Sequence, residues 1–284
     1  MDRIYITGIR GKLGKTVVPI FRERYEIFPT DMSEPDIRDA NTIIESIRRS
    51  RPAFVLHLAA MTDVDGCELN PDDAYRVNAL GTRNVALACQ ACDAVMVYIS
   101  TGMVYDGRKE IPYTEFDCPA PVNAYARSKY FGELAVRDLL SRFFIFYTCW
   151  LFGGGSEDKK FVARIIERAR TSKELKVVND KFGSPTYVAD LAKAMFDFLE
   201  TGLYGKYHCA NVGCVNRFEM SQEILKTAGI NTCTLIPTSS DEFPLPAPRP
   251  RMEALRNYQF ELLGSNPMRD WRQALREYLA TSFR

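Results

Sequence analysis

The chain has 284 residues, 46% hydrophobic and 26% charged, a balance ordinary for a globular protein with a sizeable core. Its 37 basic and 36 acidic side chains leave a net charge of +1, which gives no basic footprint for nucleic acid. No apolar run approaches the roughly 18 residues that span a bilayer.

Taken in chain order, the first half alternates short β-rich runs with helical patterns. "RIYITG" (3–8) reads as a buried strand, 12–22 as a helix and "YEIFPTD" (25–31) as a second strand. Apolar residues at helical spacing over 41–50 precede a continuous apolar strand at 53–60. Asn70-Pro71, a capping residue with proline in the first turn, opens a long helix that runs to about Cys92. Strands four and five follow at 94–100 and 143–150, separated by a helix. Strands apolar on both faces and separated by helices predict a doubly wound parallel sheet of the Rossmann type. The pattern after Trp150 is less regular. It holds helices near 158–171, 187–200, 216–229 and 268–280 and a Pro-rich loop at 237–250. Residues 1–150 are expected to form the dinucleotide-binding domain. Residues 151–284 would form mainly a smaller C-terminal substrate-binding lobe, interleaved with the sheet domain around 180–205.

Eight cysteines are scattered along the chain. The opening "MDRIYITG" runs straight into a strand without a secretory leader, so a cytoplasmic protein with free thiols is the expectation. Cys89 and Cys92 form a single CxxC. A zinc site would need a second pair or nearby histidines, and His57 and His208 are far away in sequence. These thiols read as packing groups on a helix, and no metal is expected. The sequence leaves the oligomeric state open, a homodimer included.

The loop "GIRGKLGKT" (8–16) ends in Gly-Lys-Thr, as a triphosphate-binding loop does, but the glycine that pattern needs five residues earlier is Ile9. The triplet Gly8, Gly11, Gly14 fits a dinucleotide better. Gly8 makes the tight turn, Gly11 lets the pyrophosphate approach the backbone, and Gly14 lets the first helix pack close to the sheet. The helix N-terminus then faces the phosphates. Asp31, ending strand two, is placed to accept from the adenosine ribose hydroxyls and favours NAD. Arg10 and Lys12 could instead pair with the 2′-phosphate of NADP. NADH and NADPH both stay open.

"PVNAYARSKYFGE" (121–133) puts Tyr125 and Lys129 four apart on one helical face. A lysine ammonium beside a tyrosine is expected to lower its pKa and so make it a useful proton shuttle, while also binding a nicotinamide ribose. "YISTGMVYDG" (98–107) puts Ser100 and Thr101 just past strand four, where ligands bind in such sheets. "HLAA" (57–60) ends strand three.

Together these motifs resemble the extended short-chain dehydrogenase/reductase family along the whole chain. The series "AAMTDVDGCE" (59–68), "STGMVYDG" (100–107), "NAYARSKYFGE" (123–133), "WLFGGG" (150–155), "KFV" (160–162), "VVNDKFGSPTYVADLA" (177–192) and "PRPRMEAL" (248–255) resembles its dTDP-4-dehydrorhamnose reductase subfamily. That resemblance implies reduction of the 4-keto group of a nucleotide-linked deoxysugar by NADH or NADPH. It assigns Thr101 to the keto oxygen, Tyr125 to the proton, and Lys129 to tuning Tyr125 and binding ribose. Gly8, Arg10, Gly11, Lys12, Leu13, Gly14, Asp31, Ala59, Ala60 and Thr62, together with Tyr125 and Lys129, fall on its cofactor-binding positions. Val64, Thr101, Trp150 and Arg249 fall on the substrate side, Arg249 for the diphosphate. The chain departs from the subfamily at Gly102-Met103 (usually Asp-Tyr), Tyr147 (usually Arg), Lys160 (usually Asn) and Lys181 (usually Gln), changes expected to cluster around the sugar pocket. Gly102 and Met103 also leave no acid beside Thr101, where related dehydratases usually carry an acidic pair, and a related nucleotide-sugar epimerase stays an alternative. A non-catalytic, cofactor-bound subunit, like the regulatory β subunit of methionine adenosyltransferase, is the alternative of a different class.

Overall fold

The apolar run at the start of the chain becomes β1 (Arg3–Thr7), buried from Ile4 onward, in a computed structural model that describes residues 1–28, 35–154 and 160–283. Then come α1 (Lys12–Phe21), β2 (Glu26–Phe28), α2 (Ala40–Ser50) and β3 (Phe54–His57). The single helix expected over 70–92 is more broken. A separate α3 (Val64–Leu69) precedes it, and the span itself comprises α4 (Pro71–Ala74), a π-helical stretch Tyr75–Gly81, and α5 (Thr82–Cys92). The wider π turn carries Asn78, whose amide donates to the Met61 carbonyl (3.0 Å) and to Ser128 Oγ (3.0 Å) while its oxygen accepts from Met61 N (2.9 Å). A tertiary demand of this kind leaves no periodic trace.

β4 (Val95–Thr101), α6 (Ala124–Leu139), β5 (Phe143–Thr148), β6 (Leu151–Phe152) and α7 (Phe161–Thr171) continue the chain. β7 (Glu174–Val178), β8 (Phe182–Gly183), β9 (Thr186–Tyr187), α8 (Val188–Phe198) and β10 (Gly205–His208) come next. β11 (Val215–Asn216), α9 (Arg217–Thr227), β12 (Thr234–Thr238), α10 (Tyr258–Leu262) and α11 (Trp271–Ser282) complete it. The six-stranded sheet has the order β10-β5-β4-β3-β1-β2, and every pair in it is parallel. β10 was not among the expected strands. Neither were the small ladders β11-β8, β12-β7 and β6-β9, most of whose strands are too short to show a period of two.

One face of the sheet is covered by α1 and α8, where Val17, Phe21, Leu191 and Phe196 join Ile4, Val97 and Phe146 in one core. The other face packs Ile43, Ile47, Val85 and Val136, from α2, α5 and α6, on Val55, Met96 and Tyr98. A third core holds Phe152, Ile165, Ile224, Trp271 and Leu275, around α7, α9 and α11. The order of strand addition reverses between β1 and β3, and the carboxyl ends of the central strands lie in register: Thr7 opposite His57, His57 opposite Tyr98, Thr101 opposite Thr148. This switch point opens a crevice, which is where such sheets bind ligands.

Candidate active site

A cleft of about 430 Å³ runs along these strand ends. Its first wall is the loop after β1, with Gly8, Gly11, Lys12, Leu13 and Gly14 lining it. Gly8 sits at φ 72°, and a Cβ there would lie 2.5 Å from the Ala59 nitrogen. A Cβ on Gly14 would lie 2.4 Å from the Gly8 carbonyl oxygen. Side chains are thus excluded from the turn by the backbone itself. α1 starts on Gly11 with no side chain capping it, an N-terminus suited to an anion. Asp31 lies outside the described residues. Arg10 is exposed and does not line the cleft, nor does Ala59, whose N–H donates to Thr7 Oγ1 at 3.2 Å. Ala60, Thr62 and Val64 do line it.

Thr101, Tyr125 and Lys129 meet in the middle of the cleft. Thr101 ends β4 and its hydroxyl accepts from Met103 N at 3.2 Å. α6 is fixed at its start by Asn123, whose side-chain Oδ1 accepts from Ala126 N (2.8 Å) and whose Nδ2 donates to the Pro248 carbonyl (2.9 Å). Glu68 accepts from Ala124 N at 2.7 Å. Tyr125 therefore leaves the first turn at a fixed angle and forms a side-chain hydrogen bond with Thr101. One turn on, Lys129 is almost fully buried, its ammonium 4.1 Å from the Tyr98 ring centre. Burial pulls this ammonium down to about 7, against the opposing charge of Glu133. Burial also raises the Tyr125 phenol above its ordinary value, while the Thr101 hydrogen bond acts the other way. The expected lowering of Tyr125 by Lys129 is thus corrected: burial dominates and raises the phenol, and Lys129 itself holds its proton less tightly. A phenol protonated at neutral pH is what proton donation requires.

Beyond β5 the wall changes character. Trp150 adopts φ 45°, rare for a bulky residue, and Trp150 Nε1 donates to Glu253 Oε1 at 2.6 Å. The Arg217 guanidinium lies 3.5 Å from the Trp150 ring centre and 4.5 Å from that of Phe161. Glu253 is buried, which raises its carboxyl, while the Trp150 hydrogen bond and the Arg217 charge pull it back. All four residues line the cleft, with Lys160 and Met103.

The family model described as RmlD substrate binding domain matches residues 1–283. The chain belongs to this family. It is 38% identical to the dTDP-4-dehydrorhamnose reductase of Mycobacterium tuberculosis, over 98% of this chain and 93% of that one. It is 35% identical to the spore coat polysaccharide biosynthesis protein SpsK of Bacillus subtilis, over 98% and 97%. Among solved structures, dTDP-4-dehydrorhamnose reductase from Bacillus anthracis in complex with NADP superposes with a TM-score of 0.93 at 38% identity, covering 98% of this chain and 99% of that one.

Within this RmlD-type fold, Thr101, Tyr125, Lys129, Trp150 and the glycine loop share one cleft, as the sequence suggested. Arg249 does not. Its guanidinium pairs with Asp65 at 3.0 Å and donates to the Ala247 carbonyl at 2.7 Å, bracing the Pro-rich loop against α3. The departures expected to cluster at the sugar pocket also scatter. Met103 and Lys160 line the cleft. Tyr147 instead donates to buried Glu133 at 2.5 Å, and Lys181 to the Arg249 carbonyl at 3.1 Å. Gly102 answers to backbone packing, since a Cβ there would lie 2.5 Å from the Glu253 carbonyl oxygen. The CxxC thiols are free: Cys89 is buried in α5, and Cys92 Sγ lies 3.1 Å from the Ala88 carbonyl. His57 is buried and neutral, its ring between the Thr7 and Thr82 hydroxyls at 2.7 and 3.0 Å. Sequence reading missed Arg217 and Glu253. For Arg217 a signal existed: a cation at the first position of a helix opposes the helix dipole and so asks for another reason to be there.

Proposed function

We propose that this protein reduces the 4-keto group of a nucleotide-linked deoxysugar with NADH or NADPH. The observation that carries the reading is the meeting of Thr101, Tyr125 and Lys129 in one cleft, between a glycine turn and an aromatic, cationic wall. The glycine turn fits a dinucleotide, since added Cβ atoms would collide with backbone and the turn stays bare. Gly8, Gly11 and Gly14 would hold the pyrophosphate, with Lys12 and Leu13 beside it. Ala60, Thr62 and Lys129 would face the nucleoside. When bound, the nicotinamide supplies the hydride that reduces the ketone. Tyr125 gives its phenolic proton to the keto oxygen, completing the alcohol. Thr101 fixes that oxygen and orients the phenol through their hydrogen bond. Lys129 binds ribose and supplies positive charge as the phenolate forms.

Residues 151–284 contribute mainly the substrate wall under this reading, and residues 1–150 the cofactor wall. What supports an interleaving of the two parts around 180–205 is that α8 lies in the core beside α1 and β10 closes the sheet. Turnover of a panel of dTDP- and UDP-linked 4-keto-6-deoxy sugars, with NADH and NADPH in parallel, tests the proposal. Oxidation of the reduced cofactor that depends on the keto sugar is the expected result. Tight cofactor binding with no turnover on any sugar would favour a non-catalytic subunit instead.

A further inference from the structure

A nucleotide-sugar substrate brings a diphosphate, and the arginine expected to meet it, Arg249, is committed to Asp65. We infer that Arg217 binds the substrate's diphosphate, an inference that rests on the nucleotide-sugar reading above. Arg217 lines the cleft, sandwiched between the faces of Trp150 and Phe161. Stacking uses the flat faces of a guanidinium and leaves its N–H edge for an acceptor. Among the described residues, no carboxylate pairs with that edge and no carbonyl or hydroxyl accepts from it. The nearest acid to act on it, Glu253, already takes the Trp150 indole N–H at 2.6 Å. Burial lowers Arg217 only to about 10, so it stays charged at neutral pH.

A partly buried cation without an acceptor is costly unless an anion completes it. Arg217 is the first residue of α9, whose N-terminus is already closed by its own acid, Glu219, in a capping box with Asn216. That box occupies two of the end's own groups, with Asn216 Oδ1 accepting from Glu219 N at 2.8 Å. Arg217 itself therefore supplies the contact, with the two rings holding its guanidinium in the cleft. A planar fork of donors matches phosphate oxygens in pairs, and stacking pre-orders it. This site is separate from the one for the cofactor's phosphates. Trp150 follows β5, three strand spacings or about 14 Å across the sheet from β1 and its glycine loop.

Calorimetry of dTDP binding to the NADPH-saturated protein tests the inference, comparing wild type with Arg217→Gln. Loss of a charge-assisted contact should weaken dTDP by about tenfold to a hundredfold. NADPH affinity, measured separately, should not change. Should Arg217→Gln fail to fold, Arg217→Met keeps a long stem on the two rings and gives the same comparison. Unchanged dTDP affinity in a folded variant overturns the role of Arg217 while leaving the reductase reading intact. Failure of the wild type to bind either dTDP or UDP overturns the nucleotide-sugar reading itself, and this inference with it.

Discussion

The two ends of the cleft are made of different material. At the β1 end the wall is largely backbone: a turn in which Gly8 and Gly14 exclude side chains and Gly11 stands between them, leading into the N-terminus of α1. At the β5 end it is side chains from four distant segments, with Trp150, Phe161, Arg217 and Glu253 holding one another by stacking, a hydrogen bond and charge. A backbone cradle suits a ligand whose form never varies, as a dinucleotide's pyrophosphate does not. A wall of side chains can be altered one residue at a time, and it lies where substrates would differ. Between the two stand Tyr125 and Lys129, both carried by one helix whose start is pinned at Asn123.

The largest effect is expected between the two ends. Tyr125→Phe removes one hydroxyl and leaves the ring packed, so the loss of general acid catalysis should cut kcat on the order of a hundredfold or more. NADPH and dTDP affinity should hold, since neither wall is touched. Undiminished keto-sugar reduction by Tyr125→Phe would refute the assigned proton donor.

Next in size is a change confined to the backbone cradle. A Cβ at Gly11 would sit 3.1 Å from the Gly8 carbonyl oxygen, tight but tolerable, while valine methyls would occupy the space meant for phosphate. Gly11→Val should weaken NADPH by about a hundredfold through lost charge-assisted contacts, and leave dTDP affinity unchanged. Equal losses of both ligands in titrations would show that the two ends are not independent.

Lys129 sharpens the comparison through stability. Its folded pKa of about 7 lies below the ordinary 10.5. Between those values the unfolded chain binds a proton that the folded chain does not, so stability gains from rising pH across that window. Below about pH 7 the whole cost of burying the ammonium is present. Lys129→Met removes the charge. Relative to wild type it should gain on the order of 2 kcal/mol at pH 6, with the gain fading toward pH 10. Chemical denaturation at the two pH values reads this directly. A gain independent of pH would mean that burial does not depress Lys129, so that folded and unfolded chains bind its proton equally between pH 6 and 10. The same variant should lose turnover and cofactor affinity.

The contrast between the ends also decides what could be read from sequence. β1, β3, β4 and β5 showed as apolar runs because a parallel sheet buries both faces, and the glycine turn showed because only glycine fits it. Tyr125 and Lys129 showed because one helix fixes their spacing. β10 did not, since Gly205-Lys-Tyr-His has neither length nor alternation, although it completes the sheet. Nor did the π-helical turn at Asn78, which answers to Met61 and Ser128 rather than to its own neighbours. Arg217 and Glu253 are 36 residues apart in the sequence. Only the folding of the 248–255 segment across Gly102 brings Glu253 to Trp150, and no local pattern encodes that meeting.

The smallest expected effect belongs to Arg249, the arginine that sequence favoured. Its pair with Asp65 is partly exposed, with side-chain exposures of 20% and 31%, so screening by water limits what the charges contribute. Asp65 Oδ1 also accepts from Ala247 N at 3.1 Å, which holds the loop against α3 even without the guanidinium. Arg249→Ala should therefore cost no more than about 1 kcal/mol in denaturant unfolding. It should leave dTDP affinity within about threefold of wild type, less than half the free-energy step that marks a tenfold change. The two arginines differ in what already satisfies them: one has its carboxylate, and the other has only aromatic faces. If Arg249→Ala weakened dTDP as much as Arg217→Gln does, the loop would have to open from Asp65 and close over the ligand. The diphosphate site would then belong to the Pro-rich loop and not to α9.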